Sequence, residues 1–276
     1  MWTDLERPPL DAAALRAALV APAGEWTSLD VVSSTGSTNA DLMAAARAGA
    51  ADRSVLIAEH QDAGRGRHAR VWSSPARAGL SFSVLLRTAG VSLTELGWLP
   101  LLAGVAVADA LRRVAQVDVT LKWPNDVLID GRKLGGILAE VASTGPEPVV
   151  VIGLGLNVSL RADELPVPTA TSLVLASAAC TDRGPVLRAV LRELATREHA
   201  WRGVGGDPIR SGLAADYRAR CSTLGRDVVV TLPLNRTLAG RAVDIDESGR
   251  LLVRDEAGTA HAVGAGDVTH LRAPER

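Results

Sequence analysis

Three arginines lie within six residues on a glycine-containing segment, GRGRHAR, at positions 64–70. A guanidinium group offers a planar fork of N–H donors that suits carboxylates and phosphates. Glycine lets the backbone approach a ligand closely. The segment therefore predicts a loop that binds an anion. It also matches a loose G-x-G-x-x-A dinucleotide fingerprint, but the residues up to Pro75 predict more loop where that fingerprint needs a helix.

Two further clusters could add cations to this loop. The segment KWPND at 122–126 follows an apolar run, and Pro124 favours an extended backbone both at itself and at Trp123. A lysine at a strand end beside an Asn-Asp pair is well placed to meet a nucleotide. The segment GRKLGGILAE at 131–140 carries two basic residues and paired glycines ahead of a predicted strand.

Two polar or glycine-rich segments complete the set. In GSTNAD at 36–41, Thr38 and Asp41 have the spacing of a capping box, and the hydroxyl and amide groups could also bind a polar ligand. The segment GLGLNV at 153–158 follows a predicted buried strand. Each of the five segments also fits a purely structural role, as a solvated loop, a turn, a hairpin, a helix cap or a glycine-kinked edge.

Hydrophobic periodicity predicts mixed strands and helices up to about residue 220. Strands are expected at 29–33, 54–58, 79–86, 117–122, 127–129, 136–141 and 148–152, and helices at 10–20, 40–48, 95–115, 184–201 and 206–220. After Thr223, short β-type runs alternate with turn residues, which predicts a small all-β barrel. We therefore expect an N-terminal helix or extension at 1–27, a ligand-binding domain at 28–221 and a β-barrel domain at 222–276.

The composition fits a globular protein with almost no net charge. The 276 residues are 47% hydrophobic and 22% charged, and the formal net charge is −1. A nucleic-acid-binding domain usually shows a basic excess, so we expect no nucleic-acid partner. No apolar stretch reaches the roughly 18 residues of a membrane span, and no signal peptide is evident. We expect a cytoplasmic protein without membrane association, with Cys180 and Cys221 reduced.

Motifs of several hydrolase and nucleotidase classes do not occur in the sequence. We find no G-x-S-x-G, no H-E-x-x-H and no G-x-x-x-x-G-K-S/T. The five histidines, at positions 60, 68, 199, 261 and 270, are scattered, and we interpret each as structural or exposed.

In order and spacing, the polar clusters together resemble those of biotin protein ligases. The series is STN at 37–39, Gln61, GRGR at 64–67, Trp72, KWPND at 122–126, KLGGIL at 133–138 and GLGLN at 153–157. GRGR and KWPND are its specific elements, and the β-rich ending, VTHLR at 268–272, extends the likeness. The resemblance implies an α+β fold with a mixed sheet and flanking helices, related to class II aminoacyl-tRNA synthetases, followed by a small SH3-like β-barrel.

The same resemblance implies a two-step reaction. Biotin and MgATP would give biotinyl-5′-adenylate and pyrophosphate, and the adenylate would pass biotin to one lysine of a biotin carboxyl carrier protein or domain of a biotin-dependent carboxylase. The biotin carboxylate must attack an α-phosphate that is already negative. Preorganised cations would reduce this repulsion and stabilise the transition state. By resemblance these catalytic cations are Arg65, Arg67, Lys122 and Lys133, with Lys133 near the carboxylate and Arg67 toward the phosphate.

Further contacts follow from the resemblance. The biotin site would comprise Ser37, Thr38, Asn39, Gln61, Arg65, Gly66, Arg67, Lys133 and Gly136. The ATP site would comprise Arg67, Trp72, Lys122, Asn125, Lys133, Asn157 and Arg272, with Trp72 near the adenine and Mg²⁺ arriving with ATP. Asp126 would either orient Lys122 or help to activate the incoming lysine. We expect a monomer or a weak homodimer.

Two departures from the family pattern stand out. The family loop usually has glycine where this chain has Ala69, and alanine resists positive φ, so the loop geometry is expected to differ. Only about 27 residues precede the first predicted strand, too few for the winged-helix DNA-binding domain of some members, so we expect no repressor activity. Because a mixed anhydride hydrolyses readily, we expect residues 64–74 to be mobile without ligand and to order over it.

Three other functions stay open at this point. A lipoate ligase would share a related fold and the same adenylation chemistry, although GRGR and KWPND favour biotin. A ligand-binding regulator without catalysis is possible, although the intact set of basic residues argues against it. A nucleotide-binding oxidoreductase would need a helix directly after residues 64–69 and an acidic residue about twenty positions further on.

Overall fold

The computed structural model describes residues 7–232, 236–264 and 266–271, and within these ranges the side chain of Ala69 is not described. A seven-stranded sheet forms the larger part of the fold. Its strands are β1 (Ser28–Val32), β2 (Ser54–Ala58), β3 (Gly79–Arg87), β4 (Thr120–Lys122), β5 (Asp126–Ile129), β6 (Arg132–Ser143) and β7 (Val149–Asn157). The strand order is β1-β2-β3-β7-β6-β5-β4. Only β1 and β2 pair in parallel, so the sheet is mixed, as predicted.

Helices cover both faces of this sheet unequally. The helices are α1 (Ala12–Leu19), α2 (Thr38–Arg47), α3 (Leu99–Val114), α4 (Arg183–Gly203) and α5 (Leu213–Arg220). Helix α3 is buried along most of its length and packs against α4 and β6, which closes one face of the sheet. Helix α2 packs on β3 and β7 from the other face and covers only part of it. The uncovered part of that face holds the site described below.

The start of α2 differs from the sequence prediction. The predicted capping pair of Thr38 and Asp41 is wrong, because the helix begins one residue earlier than such a pair allows. Ser37 is the N-cap, with extended backbone angles, and its side chain accepts the Ala40 N–H at 3.5 Å. Asp41 instead accepts a hydrogen bond from the Thr35 hydroxyl. The two hydroxyls of Ser37 and Thr38 therefore play different local roles.

Other element bounds also differ from the prediction. The predicted helix at 95–115 is a 3₁₀ turn at Glu95–Trp98 followed by α3, with Pro100 in the first turn of α3. The predicted helix at 206–220 shortens to α5, because Gly206 and Gly212 adopt positive φ and break the chain direction before it. The predicted strand at 117–122 shortens to β4.

Two motifs lie inside strands, where the sequence placed them outside. The segment GLGLN at 153–157 forms the second half of β7 instead of following a strand. Arg132, Lys133 and the paired glycines belong to β6, which leaves a tight turn at Asp130 and Gly131, both with positive φ. Both misplacements have one cause. Glycines were interpreted as the ends of strands, whereas in this sheet they lie within strands, and at most of them neighbouring groups leave no room for a larger side chain.

A second sheet follows α5. It contains β8 (Asp227–Thr231), β9 (Thr237–Ile245), β10 (Leu251–Arg254), β11 (Ala260–Val263) and β12 (Asp267–His270). Every pairing is antiparallel, in the order β11-β10-β9-β8-β12, as expected of a small SH3-like barrel.

Two tryptophans fasten the second sheet to the first domain. Trp98 Nε1 donates to the Glu247 carbonyl at 2.6 Å, and Trp123 Nε1 donates to the Gly249 carbonyl at 3.1 Å. A Cβ on Gly97 would lie 2.3 Å from the Ser248 carbonyl oxygen, so the backbones meet directly there. The β9–β10 turn is therefore fixed beside the Lys122–Asp126 segment.

Cys180 and Cys221 are free thiols, as expected. Within the described ranges, no helix combines the length and apolar character needed to cross a membrane.

Candidate functional site

Small residues on one face of the central strands leave a depression in the sheet surface. In register across β3, β7 and β6, this face presents Ser83 opposite Gly153, and Gly155 opposite Gly136. A Cβ on Gly153 would lie 2.1 Å from Asn39 Oδ1, and a Cβ on Gly155 would lie 2.3 Å from the Trp72 ring. Larger residues would fill the depression, so the glycines are needed to form a cavity of about 290 Å³.

Nearly all of the residues proposed from the resemblance line this cavity. They are Ser37, Thr38, Asn39, Gln61, Arg65, Gly66, Arg67, Trp72, Lys122, Asn125, Asp126, Lys133 and Gly136. Strand β12 of the second sheet adds Asp267, Val268 and Thr269. The cavity therefore lies between the large sheet, the 64–72 loop and one strand of the small sheet.

One of the proposed residues, Asn157, is not in this lining. Asn157 is buried at the end of β7, and its Nδ2 donates to the Thr171 carbonyl at 2.9 Å. Arg272 lies outside the described residues.

A chain of hydrogen bonds links the polar side chains around Thr38 and Asn39 at one end of the cavity. Gln61 Oε1 accepts the Thr38 N–H at 2.9 Å and lies 3.1 Å from Thr38 Oγ1. Thr38 Oγ1 in turn lies 2.7 Å from Ser83 Oγ, and Ser83 donates to Asn39 Oδ1 at 2.6 Å. Asn39 Nδ2 donates to Glu140 Oε2 at 2.8 Å. These bonds fix the orientation of both side-chain amides before any ligand arrives.

Ser83 and Glu140 were missed by the sequence analysis. Ser83 lies outside the polar segments, and Glu140 ends the 131–140 segment without an assigned role there. Each reaches the STN segment only through the tertiary fold. Ser83 is fully buried at 0% exposure. The serines at 81 and 83 in the otherwise apolar run of β3 were the available signal, because a buried hydroxyl there requires a polar partner.

The 64–72 loop is held by its own backbone and by the small sheet. Gly66 N donates to the Arg70 carbonyl at 2.7 Å, and Trp72 N donates to the Gly64 carbonyl at 2.8 Å. Between them lies a single 3₁₀ turn, Arg67–Ala69, so no helix follows the glycines. The positive φ of this turn, 53°, falls at His68. The dinucleotide fingerprint therefore lacks the helix that an oxidoreductase site would need.

Residues at the start of β12 contact the arginines of this loop. Arg67 Nη1 donates to the Gly266 carbonyl at 3.3 Å, and Arg70 forms an ion pair with Asp267. Asp267 is a further residue that the sequence analysis missed, since nothing local links it to an arginine loop almost 200 positions earlier.

The basic side chains create an anion-binding end of the cavity. Burial lowers the pKa of Arg67, and the Arg70 charge adds to this effect, while Asp267 and Asp126 oppose it. The Arg67 guanidinium stays charged, because arginine does not deprotonate in proteins. Its charge is costly to bury, and an anionic ligand would offset that cost.

Lys133 and Asp126 form an ion pair beside this end. Lys133 Nζ lies 2.5 Å from Asp126 Oδ1, and both side chains are partly exposed. The Asp126 carboxylate thus contacts Lys133, whereas its predicted roles toward Lys122 or an incoming lysine stay predictions. Asn125 fixes the same turn, since its Nδ2 donates to the Ile137 carbonyl at 3.1 Å.

Trp72 forms an apolar wall over the glycines. Its ring lies against Gly155, and its indole N–H is buried with no hydrogen-bond partner among the described residues. Because Trp72 lines the cavity, a ligand or a water molecule there could accept this N–H.

The cavity therefore suits a small molecule with a polar, uncharged head and an anionic tail, next to a second anionic group. Among the described residues, no group of three or more His, Cys, Asp or Glu side chains could hold a metal ion.

Comparisons with known proteins agree with this site. The family model described as the Biotin/lipoate A/B protein ligase family matches residues 30–157, and the model described as the Biotin protein ligase C terminal domain matches residues 223–271. A biotin--[acetyl-CoA-carboxylase] ligase of Mycobacterium tuberculosis is 49% identical over 273 residues, 98% of each chain. The bifunctional ligase/repressor BirA of Escherichia coli is 31% identical over 238 residues, which cover 84% of this chain and 70% of that protein.

A solved structure leads to the same family. The biotin protein ligase from Aquifex aeolicus in complex with biotin and ATP superposes with a TM-score of 0.71 at 26% identity, covering 90% of this chain and 100% of that chain. The chain belongs to the biotin protein ligase family.

Proposed function

We propose that this chain is an ATP-dependent biotin protein ligase. It activates biotin as biotinyl-5′-adenylate and then transfers biotin to one lysine of a biotin carboxyl carrier protein. The observation that carries the proposal is a cavity in which a hydrogen-bonded polar end adjoins five cationic side chains, those of Arg65, Arg67, Arg70, Lys122 and Lys133. The M. tuberculosis relative is named for this reaction with acetyl-CoA carboxylase, which supports the carrier as partner.

The polar end would bind the ring system of biotin. The ureido group of biotin is neutral and offers two N–H donors and one carbonyl acceptor. Thr38, Asn39 and Gln61 supply matching groups, and Ser37 adds a hydroxyl at the start of α2. Since Ser83 already holds Asn39 and Thr38, these groups are preorganised for the ligand.

The cationic end would assist the first step. A carboxylate oxygen of biotin attacks the α-phosphorus of ATP, a new P–O bond forms, and the bond to pyrophosphate breaks. Charge accumulates on the phosphate oxygens, and fixed cations stabilise it without reorganising. Lys133, oriented by Asp126, lies near the attacking carboxylate, and Arg67 faces the phosphate.

The nucleotide would lie along the Trp72 wall. Trp72 over Gly155 offers an apolar surface for the adenine, and Lys122 and Asn125 flank the same side of the cavity. Magnesium would enter as MgATP, coordinated chiefly by nucleotide phosphates and water. The ATP contacts assigned to Asn157 and Arg272 stay predictions.

In the second step the neutral amine of the acceptor lysine attacks the acyl carbonyl, and AMP leaves. No protein nucleophile is needed, since the adenylate is already activated. We further propose that the enzyme works in the cytoplasm as a monomer or weak homodimer, without nucleic acid.

Transfer to a carrier domain tests this proposal. The protein is incubated with biotin, MgATP and a biotin carboxyl carrier domain, and the carrier is analysed by intact mass spectrometry. We expect one biotin per carrier, and none on a carrier whose acceptor lysine is replaced by arginine. An unmodified carrier in the complete reaction would refute the proposal.

A further inference from the structure

The edge strand β4 is covered by a short segment that leads into the small sheet. Leu121 forms a parallel bridge with Cys221, and Ser222 N donates to the Leu121 carbonyl at 2.8 Å. The Trp123 N–H on the same edge donates to Thr223 Oγ1 at 3.0 Å. A side-chain hydroxyl thus replaces a backbone carbonyl where the Lys122–Asp126 segment leaves the sheet.

The same hydroxyl contacts His270 at the end of β12. Thr223 Oγ1 lies 3.1 Å from His270 Nε2, and Thr223 is fully buried at 0% exposure. Because the hydroxyl accepts the Trp123 N–H, its single hydrogen is free to be donated to a neutral ring with its proton on Nδ1. Burial, with the charges of Lys122 and Arg226, lowers the pKa of His270 to about 4, so the ring is neutral near pH 7.

Three parts of the site therefore meet at one buried hydroxyl. They are the Lys122–Asp126 segment, the connection at 221–223 between the two sheets, and strand β12. Strand β12 also carries Asp267, which pairs with Arg70 of the 64–72 loop. Thr223 and His270 themselves are not part of the cavity lining.

We propose that Thr223 and His270 are positioning residues for ATP, which hold the Lys122–Asp126 segment against β12. This inference rests on the proposed function. Their action passes through the Trp123 backbone to Lys122 and Asn125 on either side of it. Without the hydroxyl, the Trp123 N–H would be buried without an acceptor, which is unfavourable. A shift of the segment that gives this N–H another acceptor would then lower the free energy.

The test compares matched variants of the full-length protein. Thr223→Val keeps the shape and removes the hydroxyl, and Thr223→Ser keeps the hydroxyl. His270→Ala removes the other partner. Thr237→Val, at an exposed threonine of β9, is the control for a threonine-to-valine change in the small sheet. Each variant is assayed for biotin-dependent pyrophosphate–ATP exchange, for biotin affinity without ATP and for its thermal unfolding midpoint.

We expect Thr223→Val and His270→Ala to raise the KM for MgATP on the order of tenfold, with biotin affinity within about twofold of the parent protein. Thr223→Ser and Thr237→Val should behave like the parent protein. Since both residues act through one contact, the double variant should be no worse than the more impaired single variant.

Three results would overturn the inference. These are an unchanged KM for MgATP in Thr223→Val, an equal loss of biotin and MgATP affinity that follows the loss of folding, and effects that multiply in the double variant. If the parent protein shows no biotin-dependent exchange at all, the proposed function fails first and this inference fails with it. Because the parent is assayed before the variants, the two failures are distinguishable.

Discussion

Lys133 Nζ lies 2.5 Å from Asp126 Oδ1, across the paired strands β5 and β6. The two side chains are 35% and 22% exposed, so the pair faces the cavity and is accessible to a ligand. An oriented ammonium group beside the proposed carboxylate and phosphate can stabilise the charge of the transition state without first being ordered.

Lys133→Ala should therefore reduce adenylate formation on the order of 10²-fold or more, the scale for losing a charge partner of a transition state. Adenylate formation is measured as the pre-steady-state release of pyrophosphate. The matched control is Arg132→Ala, which removes a neighbouring exposed charge from the same strand. Near-normal rates in Lys133→Ala would remove Lys133 from the mechanism.

Asp126→Asn distinguishes between the roles open to this carboxylate. Because Asp126 orients Lys133, we expect adenylate formation to fall roughly tenfold, the scale of one charge-assisted hydrogen bond. Transfer from preformed biotinyl-5′-adenylate to the carrier should change little. The reverse pattern, with normal adenylation and slow transfer, would assign Asp126 to the acceptor lysine instead.

Ser83→Ala removes the buried link between Thr38 and Asn39. We expect biotin affinity to fall about tenfold and stability by about 1–3 kcal/mol, since a buried acceptor loses its donor. Isothermal titration and denaturant unfolding measure the two effects. Ser81→Ala, two residues earlier on β3, is the control. Equal biotin affinity in both variants would show that the hydrogen-bond chain does not position the biotin site.

The neutral His270 ring predicts a pH dependence of stability. The pKa of His270 is about 4 in the folded protein against an ordinary value of 6.5, so between these values only the unfolded state binds the proton. Wild-type stability should therefore fall as the pH drops through this window, and below about pH 4 this contribution should stop changing. In His270→Asn this contribution is missing.

The measurement is the difference in thermal midpoint between the parent protein and His270→Asn, at pH values from about 7 to about 4.5. The thermal midpoint of the parent protein should exceed that of His270→Asn by less as the pH falls. A difference that stays constant over this range would mean that His270 titrates alike in both states.

Much of the fold could be predicted from local patterns. The apolar run at 54–58 forms β2 with the predicted bounds. Most of the predicted helix at 95–115 forms α3, which has Pro100 in its first turn. The glycines of β7 were misplaced for a physical reason. Glycine normally weakens a strand, but Gly153 and Gly155 lie in a sheet centre where Asn39 and Trp72 occupy the space of their missing side chains.

Most of the predicted part of the candidate site consists of residues that form motifs. Arg65 and Arg67 lie together in sequence, as do Lys122 and Asn125, and all four line the cavity. Ser83, Glu140 and Asp267 were not predictable in this way, because each joins the site through long-range contacts alone. Long-range partners follow from strand register and domain docking, which single-sequence patterns do not specify.

Biotin-dependent exchange of labelled pyrophosphate into ATP tests the central claim most directly, because it requires reversible formation of the adenylate. The assay is run in parallel with biotin, lipoate and octanoate. We predict exchange with biotin and none with the other two acids. Exchange with lipoate but not biotin would contradict the proposed substrate while keeping the adenylation chemistry, and no exchange with any acid would contradict the account of the cavity as a catalytic site.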